Sequence, residues 1–420
     1  MSSEKEEEAV DGFFGFGLFE GVMDDIDAQQ EEVKMKKASQ FNFEAMLNHI
    51  GGFEYWSVLN EDCKEVGAKF LDYKTLTKLG MCSKTDNALV NKIPIHVDSI
   101  SILDNERLMF KSKVLFRFEE EDFDNVIVLV EFYDDFNSRQ RFELVFSQIG
   151  EDTQVRYIEY FLKKEAENRS FMIEKSNYYE EAVKYAEKWM KRGQFQMEEI
   201  TVEMSKYPFE TSIIRSLPKC TNVRIGADDM STFNWWIDKV PEQLDSIEIV
   251  LLNENRDTFT LPTDFLIRPQ VMDAEEMFFR CRAPFSDEQF LNLKVWQISF
   301  GAVNITDDGV NAFLKKWVSG KMVNGFGRAL LWSTRVPEKD RVMRGLDVRP
   351  WDDDFKTKKR GFCKDFERYC GRGDAYQIKS QVEPFDSLTL LFSDDRISIY
   401  WTGRKTTSNG KTFTDYYEGI

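Results

Sequence analysis

The sequence LDSIEI at residues 244–249 follows a pattern that recurs along the second half of this 420-residue chain. Apolar residues occupy its first, fourth and sixth positions, as they do in MEEITV at 197–202 and CTNVRI at 220–225. Such alternation predicts a short strand with one buried face. Less regular copies occur at 274–279, 293–298, 326–331 and 385–390. Because the first five copies start 23, 24, 30 and 19 residues apart, the sequence predicts a stack of strands.

Helical periodicity fills the intervals between these strands. The predicted helices are 179–190, 209–217, 233–240, 286–291 and 306–318. The last of them opens with a capping Thr306 and puts these apolar residues on one face: Val310, Phe313, Leu314 and Trp317. Strand plus helix at a period near 24 is typical of a leucine-rich-repeat-like α/β solenoid over 175–335. An ordinary α/β fold with short strands is the alternative, since it also gives chance matches to so loose a pattern.

Alternation within each strand assigns its residues to two faces. Ile200, Val223 and Ile247 are expected under the helices, and their neighbours are expected on an open surface suited to binding a protein. The candidate target-binding residues are the outward ones: Thr201, Glu203, Arg224, Glu248, Arg280 and Gln297. The alternative is a solvated sheet face with the target bound on loops.

The regions on either side of this repeat have different periods. Residues 95–102, 109–118, 126–132 and 141–146 alternate, which predicts an antiparallel sheet of about four strands in a β-rich segment over 95–165. Residues 157–163 fit a strand or a short helix equally well. Residues 336–420 are expected to form a β-containing cap that completes a domain over 95–420.

Residues 53–94 have helical spacing instead. A first helix is predicted from Trp56 to Leu71, a second around Leu76–Met81 with Asp72 as N-cap, and a third over 83–93 that Pro94 ends. Three short helices have more apolar surface than they can bury among themselves. This unit is therefore expected to dock on another protein.

Composition excludes several classes of protein. The net charge of −18 argues against general binding to nucleic acid or anionic membranes. No apolar run reaches the 18 residues that indicate a membrane-spanning helix. Six dispersed cysteines without a CxxC pair fit a reducing compartment, cytoplasm or nucleus, and no zinc site.

Catalytic, metal and cofactor motifs are also missing from the sequence. With only His49 and His96, no histidine can be placed beside a nucleophile motif, and phosphate-binding and dinucleotide loops do not occur. The acidic runs at 119–122 and 352–354 are interpreted as solvated loops, and the basic run at 356–360 as a solvated turn or a localisation signal. The sequence thus predicts a binding protein with no catalytic residues, metal or cofactor.

Residues 1–40 differ from the rest of the chain. They contain eleven acidic and four basic residues, a net charge of −7, around the apolar island FFGFGLF at 13–19. A disordered acidic leader is one interpretation, and a docking peptide with aromatic anchors is the other.

The helical unit resembles an F-box. The matching residues read WSVLNEDCKEV at 56–66, FLDYKTL at 70–76 and MCSKT at 81–85, in the version common in nematode F-box proteins. Later residues resemble the F-box-associated region called FTH or FBA type 2: ITDDGVNAFLKKWVSG at 305–320, Gly345-Leu346 and Pro350-Trp351-Asp352. The resemblance spans about 53–403.

This resemblance implies a substrate receptor of an SCF-type ubiquitin ligase. Such a receptor binds the SCF adaptor protein, and through it a cullin, with its F-box, and holds a protein target with its C-terminal domain. The candidate adaptor-binding residues are Leu59, Val66, Phe70, Leu71, Leu76, Leu79 and Val90, some of which must be internal core.

One departure from the family pattern bears on this function. The usual F-box opens with Leu-Pro, whereas here Leu59 is followed by Asn60. Asparagine is an acceptable helix cap, so weaker adaptor binding is expected rather than none. The alternatives are an F-box-derived scaffold, inhibitor or decoy without ligase coupling, and a hydrolase, against which the scarcity of histidine counts.

Overall fold

The structure, a computed structural model, divides the chain into two compact units, residues 1–93 and 94–420. The residues that it describes are 56–69, 71, 73–93, 97–104, 125–133, 139–161, 164–193, 197–252, 259–322, 326–333, 335–358, 360, 363, 374–383, 386–402, 405–408 and 411–414. The predicted leader, the strand at 109–118, Asp72, both histidines and the acidic run at 119–122 lie outside them.

Three short helices make up the described part of the first unit. They are α1 (Glu61–Ala68), α2 (Tyr73–Cys82) and α3 (Lys84–Lys92), and α3 packs on both of the others. Ser83 caps α3 by accepting a hydrogen bond from the Asp86 amide at 3.0 Å. Ile93 is the C-cap of α3, next to the proline that the sequence predicts as its end.

The second unit is a mixed α/β structure built on one large sheet. Its strands are β1 (Ser99–Asp104), β2 (Asn125–Tyr133), β3 (Arg139–Ile149), β4 (Asp152–Phe161), β5 (Lys164–Ile173), β6 (Glu199–Glu203), β7 (Asn222–Ala227), β8 (Ser246–Leu251), β9 (Glu276–Ala283), β10 (Gln297–Ala302), β11 (Arg328–Trp332), β12 (Val348–Pro350), β13 (Asp374–Lys379), β14 (Ser387–Ser393) and β15 (Arg396–Thr402). A separate hairpin joins β16 (Lys405–Ser408) to β17 (Lys411–Thr414).

The order of the strands is β12-β13-β14-β15-β11-β10-β9-β8-β7-β6-β1-β2-β3-β4-β5. The seven central strands, β1 and β6 to β11, run parallel. An antiparallel group flanks them on each side, β2 to β5 beyond β1, and β12 to β15 beyond β11. The sheet is therefore continuous from the predicted antiparallel segment through the predicted repeat.

Helices follow most of the parallel strands. They are α4 (Tyr178–Gly193), α5 (Met230–Ile237), α6 (Thr263–Leu266), α7 (Pro269–Met272), α8 (Asp287–Asn292), α9 (Asp307–Val318), α10 (Lys339–Val342) and α11 (Asp353–Lys358). The predicted cap of α9 is confirmed, since the Thr306 side chain accepts a hydrogen bond from the Gly309 amide, and Ser286 caps α8 in the same way through the Gln289 amide.

The main core lies between the helices and one face of the sheet, and a smaller buried cluster of Ile127, Val145 and Ile158 lies on the other face of the antiparallel strands. Ile200, Val223 and Ile247 are almost fully buried, as the alternation predicts. The four residues predicted on the inner face of α9 are buried too, and Phe313 stacks on Phe290 of α8 with ring centroids 4.6 Å apart. The apolar face of α9 thus packs on the preceding helix, α8.

Four local features of the structure were left open, missed or differently predicted in the sequence analysis. Residues 157–163, left open between strand and helix, contain the end of β4, and β5, which the sequence analysis missed, follows. The copy at 385–390 belongs to antiparallel β14 rather than to the parallel series. The pair α6 and α7, also missed, accounts for the long 30-residue interval.

The fourth difference is the predicted helix at 209–217, where only a 3-10 turn forms, at Phe209–Thr211. The buried carboxylate of Glu187 on α4 explains this. It accepts hydrogen bonds from the Tyr207 hydroxyl and the Ile213 amide, each at 2.8 Å. An amide used in this way is not available for a helical hydrogen bond, so a tertiary contact overrides the local helical pattern.

Candidate protein-interaction surfaces

The first candidate surface is one side of α1. Cys63 and Val66 are exposed and lie three residues apart on one face of the helix, and Leu59, just before the N-cap Asn60, is exposed as well. We call these three residues the α1 stripe. Three exposed apolar side chains within the eight residues 59–66 are typical of a docking face.

Asn60 caps this helix, which begins at Glu61 and not at Trp56 as predicted. Its side chain accepts a hydrogen bond from the Cys63 amide at 2.7 Å, which satisfies one free N–H of the first turn. Its φ of −68° is also the value that a proline ring imposes. The position therefore has the backbone that the family's proline needs, while asparagine supplies a side-chain cap instead.

The Asp86 carboxylate, on a residue only 9% exposed, connects Trp56 to α3. Asp86 accepts hydrogen bonds from Trp56 Nε1 at 2.8 Å and from Ser83 Oγ at 2.6 Å. These two hydrogen bonds, that from Ser83 first, keep the pKa of Asp86 below its ordinary value, because they stabilise the ionised form. The ionised carboxylate of Asp86 thus connects the residues before α1 with the N-terminus of α3.

The predicted adaptor-binding residues fall into two groups. Leu59 and Val66 are 41% and 57% exposed, and Leu71 is half-buried. The members almost completely removed from solvent are Leu76, Leu79 and Val90. These three residues lie in the interior of the unit. The structure thus distinguishes exposed candidates for adaptor contact from core residues, which the sequence alone could not do. Phe70 lies outside the described residues.

Two exposed apolar residues of this unit were missed. Val58 is 76% exposed and Met81, at the end of α2, is 81% exposed. The spacing of these residues does not predict their exposure. Helical periodicity assigns an apolar residue to a face of the helix, but does not show whether that face is covered.

The second candidate surface is the sheet face opposite the core. Thr201, Arg224 and Glu248 are direct neighbours across β6, β7 and β8. The remaining predicted target-binding residues have the same parity on nearby strands: Glu203, Arg280 and Gln297. The structure therefore brings all six to one face, as the alternation predicts.

This face is less open than expected. Thr201, Glu203 and Glu248 are each less than a tenth exposed. The guanidinium of Arg224 lies between the carboxylates of Glu203 and Glu248 and makes an ion pair with each. Arg280 extends the row by binding the second oxygen of Glu248 at 3.2 Å. We call Glu203, Arg224, Glu248 and Arg280 the charge ladder.

The charge ladder shows that these outward side chains are not the open, solvated row that the sequence analysis expects. Parallel strands place side chains of one register about 4.8 Å apart, so opposite charges on neighbouring strands can satisfy each other instead of water. Burial alone would lower the pKa of Arg224, but the two carboxylates outweigh burial and raise it. The Arg280 side chain is 38% exposed and Gln297 is partly exposed, whereas the Arg224 side chain is only 12% exposed.

The acidic run at 352–354 has structural partners. Asp352 accepts a hydrogen bond from the Phe355 amide at the start of α11, and Asp354 pairs with Lys358 at 2.9 Å. Within the described parts of the chain, no three His, Cys, Asp or Glu side chains converge on a possible metal position. Among the helices that the structure describes, none has the length and hydrophobicity that crossing a bilayer requires.

Comparison with known proteins identifies the family. Over 394 residues the chain is 43% identical to an uncharacterised F-box protein of Caenorhabditis elegans, and the match covers 94% of this chain and 99% of that protein. No protein-family model matches the chain. No solved structure matches it. Identity of this size along nearly the full length of both proteins reflects common ancestry, and the chain therefore belongs to the nematode F-box proteins.

Proposed function

We propose that this chain is the substrate-recognition subunit of an SCF-type ubiquitin ligase. In this function it makes and breaks no bond itself. It binds the SCF adaptor, and through the adaptor a cullin, and it holds a target protein so that target lysines have a high effective concentration near the ubiquitin-charged enzyme. Membership of the F-box family supports this function.

The observation that carries the proposal is the α1 stripe. Leu59 and Val66 remain exposed, whereas Leu76 and Leu79 of the same unit are buried. We assign adaptor contact to Leu59, Val66 and Leu71 among the predicted residues, and add Val58 and Met81. Burying such side chains against a partner stabilises a complex, since each contributes about 1.5–3 kcal/mol when fully covered.

The second unit is proposed to bind the target. We infer a leucine-rich-repeat-like arrangement of β6 to β11 with their helices within an F-box-associated region of the FTH or FBA type 2 class. Sequential parallel strands separated by helices support it. Target contact on the sheet face is assigned to Arg280 and Gln297, because the rest of the predicted set is nearly buried.

Co-expression with an SCF adaptor, followed by pull-down, tests this function. Wild type is expected to capture the adaptor, and Val66→Asp is expected to lose it, because a carboxylate would be desolvated in the contact. The matched control is Val336→Asp, which changes another exposed valine in the second unit. Folding of each variant is checked by circular dichroism.

Two results would contradict the proposal. If folded wild type captures no adaptor, the chain acts without ligase coupling, as a scaffold, inhibitor or decoy. Asn60, which stands where the usual F-box has proline, favours this function without ligase coupling. If Val66→Asp and wild type capture equally well, the α1 stripe is not the contact.

A further inference from the structure

The two outer strands of the large sheet differ in length and chemistry. At one end, β12 has three residues and finishes with Pro350, which has no N–H to donate. At the other end, β5 has ten residues without proline, and within the described residues no strand pairs with its outer side. Long unprotected edges are rare in natural proteins, because they recruit another strand.

Two adjacent apolar side chains of β5 are exposed. Phe171 is 50% exposed and Met172 is 46% exposed. Successive residues of a strand point to opposite faces, so Phe171 shares the face of its neighbour Val155 and Met172 shares the face of Gln154. Both faces of the sheet therefore end in an apolar side chain at this edge.

A bulge defines which part of β5 has a regular edge. The pairing between β4 and β5 is continuous from Thr153↔Ile173 to Glu159↔Glu167, and its register shifts beyond that point. Because a bulge interrupts the ladder, only residues 167–173 can add a further regular strand. The outer edge available to a partner is thus seven residues long.

We propose that this edge pairs with the same edge of a second copy of the chain, in an antiparallel dimer centred on Ser170. Only this register pairs all seven residues of both copies. It places Arg169 opposite Phe171 of the second copy, twice by symmetry, where a guanidinium can lie against an aromatic ring. It also places no like charges opposite each other, since 167 faces 173 and 168 faces 172.

This dimer closes after two copies. Both partners use the same edge, so the contact is a two-fold one and leaves no second β5 edge free. The short, proline-ended β12 edge does not offer an equivalent strand for further growth. The inference does not rest on the ligase function, because it uses only the second unit.

Sedimentation equilibrium of the full chain over a range of concentrations tests the dimer. The mass of wild type is expected to rise from 49.4 kDa towards twice that value. The double variant Phe171→Lys/Met172→Lys is expected to stay at the monomer mass, because charges on an edge prevent strand pairing. Val336→Lys, the matched control on another exposed residue, is expected to behave as wild type.

Wild type that keeps the monomer mass at every concentration overturns the proposal. A double variant that still dimerises, with an unchanged melting temperature, overturns the choice of edge. Loss of the dimer in this variant with unchanged melting supports it.

Cysteine substitution tests the register separately. In the proposed dimer, position 170 faces itself, with Cα atoms about 4.5–5.5 Å apart, which a disulfide can bridge. Position 172 is four residues from its counterpart along the strand, roughly 13 Å away. After mild oxidation, Ser170→Cys is expected to give a peptide linked through residue 170 by mass spectrometry, and Met172→Cys no peptide linked through 172. The reverse result overturns the register.

Discussion

Asp86 connects three parts of the first unit through one carboxylate. It accepts hydrogen bonds from Trp56 and Ser83, and its own amide donates to the Ser83 hydroxyl. We expect Asp86→Ala to lower the free energy of unfolding of this unit by about 1–3 kcal/mol, because the part-buried indole N–H of Trp56 loses its acceptor. Hydrogen exchange of the α3 amides measures this change. Exchange unaffected by the substitution would mean that water replaces the carboxylate.

The same carboxylate makes the stability of this unit depend on pH. Its pKa is lowered in the folded chain from the ordinary value of 3.8. A lowered folded pKa means that the stabilisation is fully present above 3.8 and is lost as the pH falls through the folded pKa. The difference between wild type and Asp86→Ala in α3 exchange is therefore expected to be constant near neutral pH and to shrink below about pH 4. A difference that grows on acidification would contradict the assignment.

Asn60 permits a test of how an F-box can do without its usual proline. Asn60→Ala is expected to destabilise α1 by about 1 kcal/mol, because the Cys63 amide loses its cap, and to weaken adaptor capture. Asn60→Asp retains an acceptor and serves as the control. Asn60→Pro is expected to capture the adaptor at least as well as wild type, since φ of −68° already suits the ring. Weaker capture by the proline variant would show that the side-chain cap matters more.

At the scale of elements, the charge ladder joins β6 to β9 by side chains as well as by backbone. Arg224 neutralises two carboxylates that are both nearly buried. We expect Arg224→Met to cost about 3–5 kcal/mol in urea unfolding, because Glu203 and Glu248 would be left without their shared partner. The triple variant Glu203→Gln/Arg224→Met/Glu248→Gln is expected to recover much of that loss.

Salt distinguishes this ladder from a surface network. Buried pairs are screened much less than exposed ones, so the cost of Arg224→Met is expected to change little on adding salt. The control is Lys294→Met, which removes an exposed pair with Asp273 and is expected to cost less than about 1 kcal/mol. Equal costs at the two sites would mean that water reaches the ladder.

The elements also show what the sequence could predict and what it could not. Alternation placed Ile200, Thr201 and Arg224 on the correct faces, because strand parity is a local property. Whether Thr201 and Arg224 are solvated depends on charged residues of neighbouring strands, more than 20 residues away in the sequence. The alternation within one strand gives no information about those residues. The segment at 209–217 has a helical pattern, yet a carboxylate from α4 captures one of its amides.

At the scale of the whole molecule, β1 is the strand that makes one sheet out of two. It pairs antiparallel with β2 and parallel with β6, although Ser99 and its partner Glu199 in β6 are 100 positions apart in the sequence. The sequence predicted an antiparallel segment and a repeat as neighbours along the chain. No local sequence pattern predicts that β1, a strand of the antiparallel segment, also pairs in parallel with β6 at the start of the repeat. That pairing depends on a long-range contact.

This arrangement predicts that the antiparallel and parallel parts unfold together. Ile100 is fully buried between Val130 of β2 and Ile200 of β6. Ile100→Ala leaves a cavity at this junction and is expected to cost about 2–5 kcal/mol. Because β1 belongs to both parts, hydrogen-exchange protection is expected to fall by similar amounts in β2 to β4 and in β6 to β8. The control Ile149→Ala, on a half-exposed residue at the end of β3, is expected to change neither by more than about 0.5 kcal/mol. Protection lost on one side of β1 alone would mean that the sheet, though continuous, contains two units that open independently.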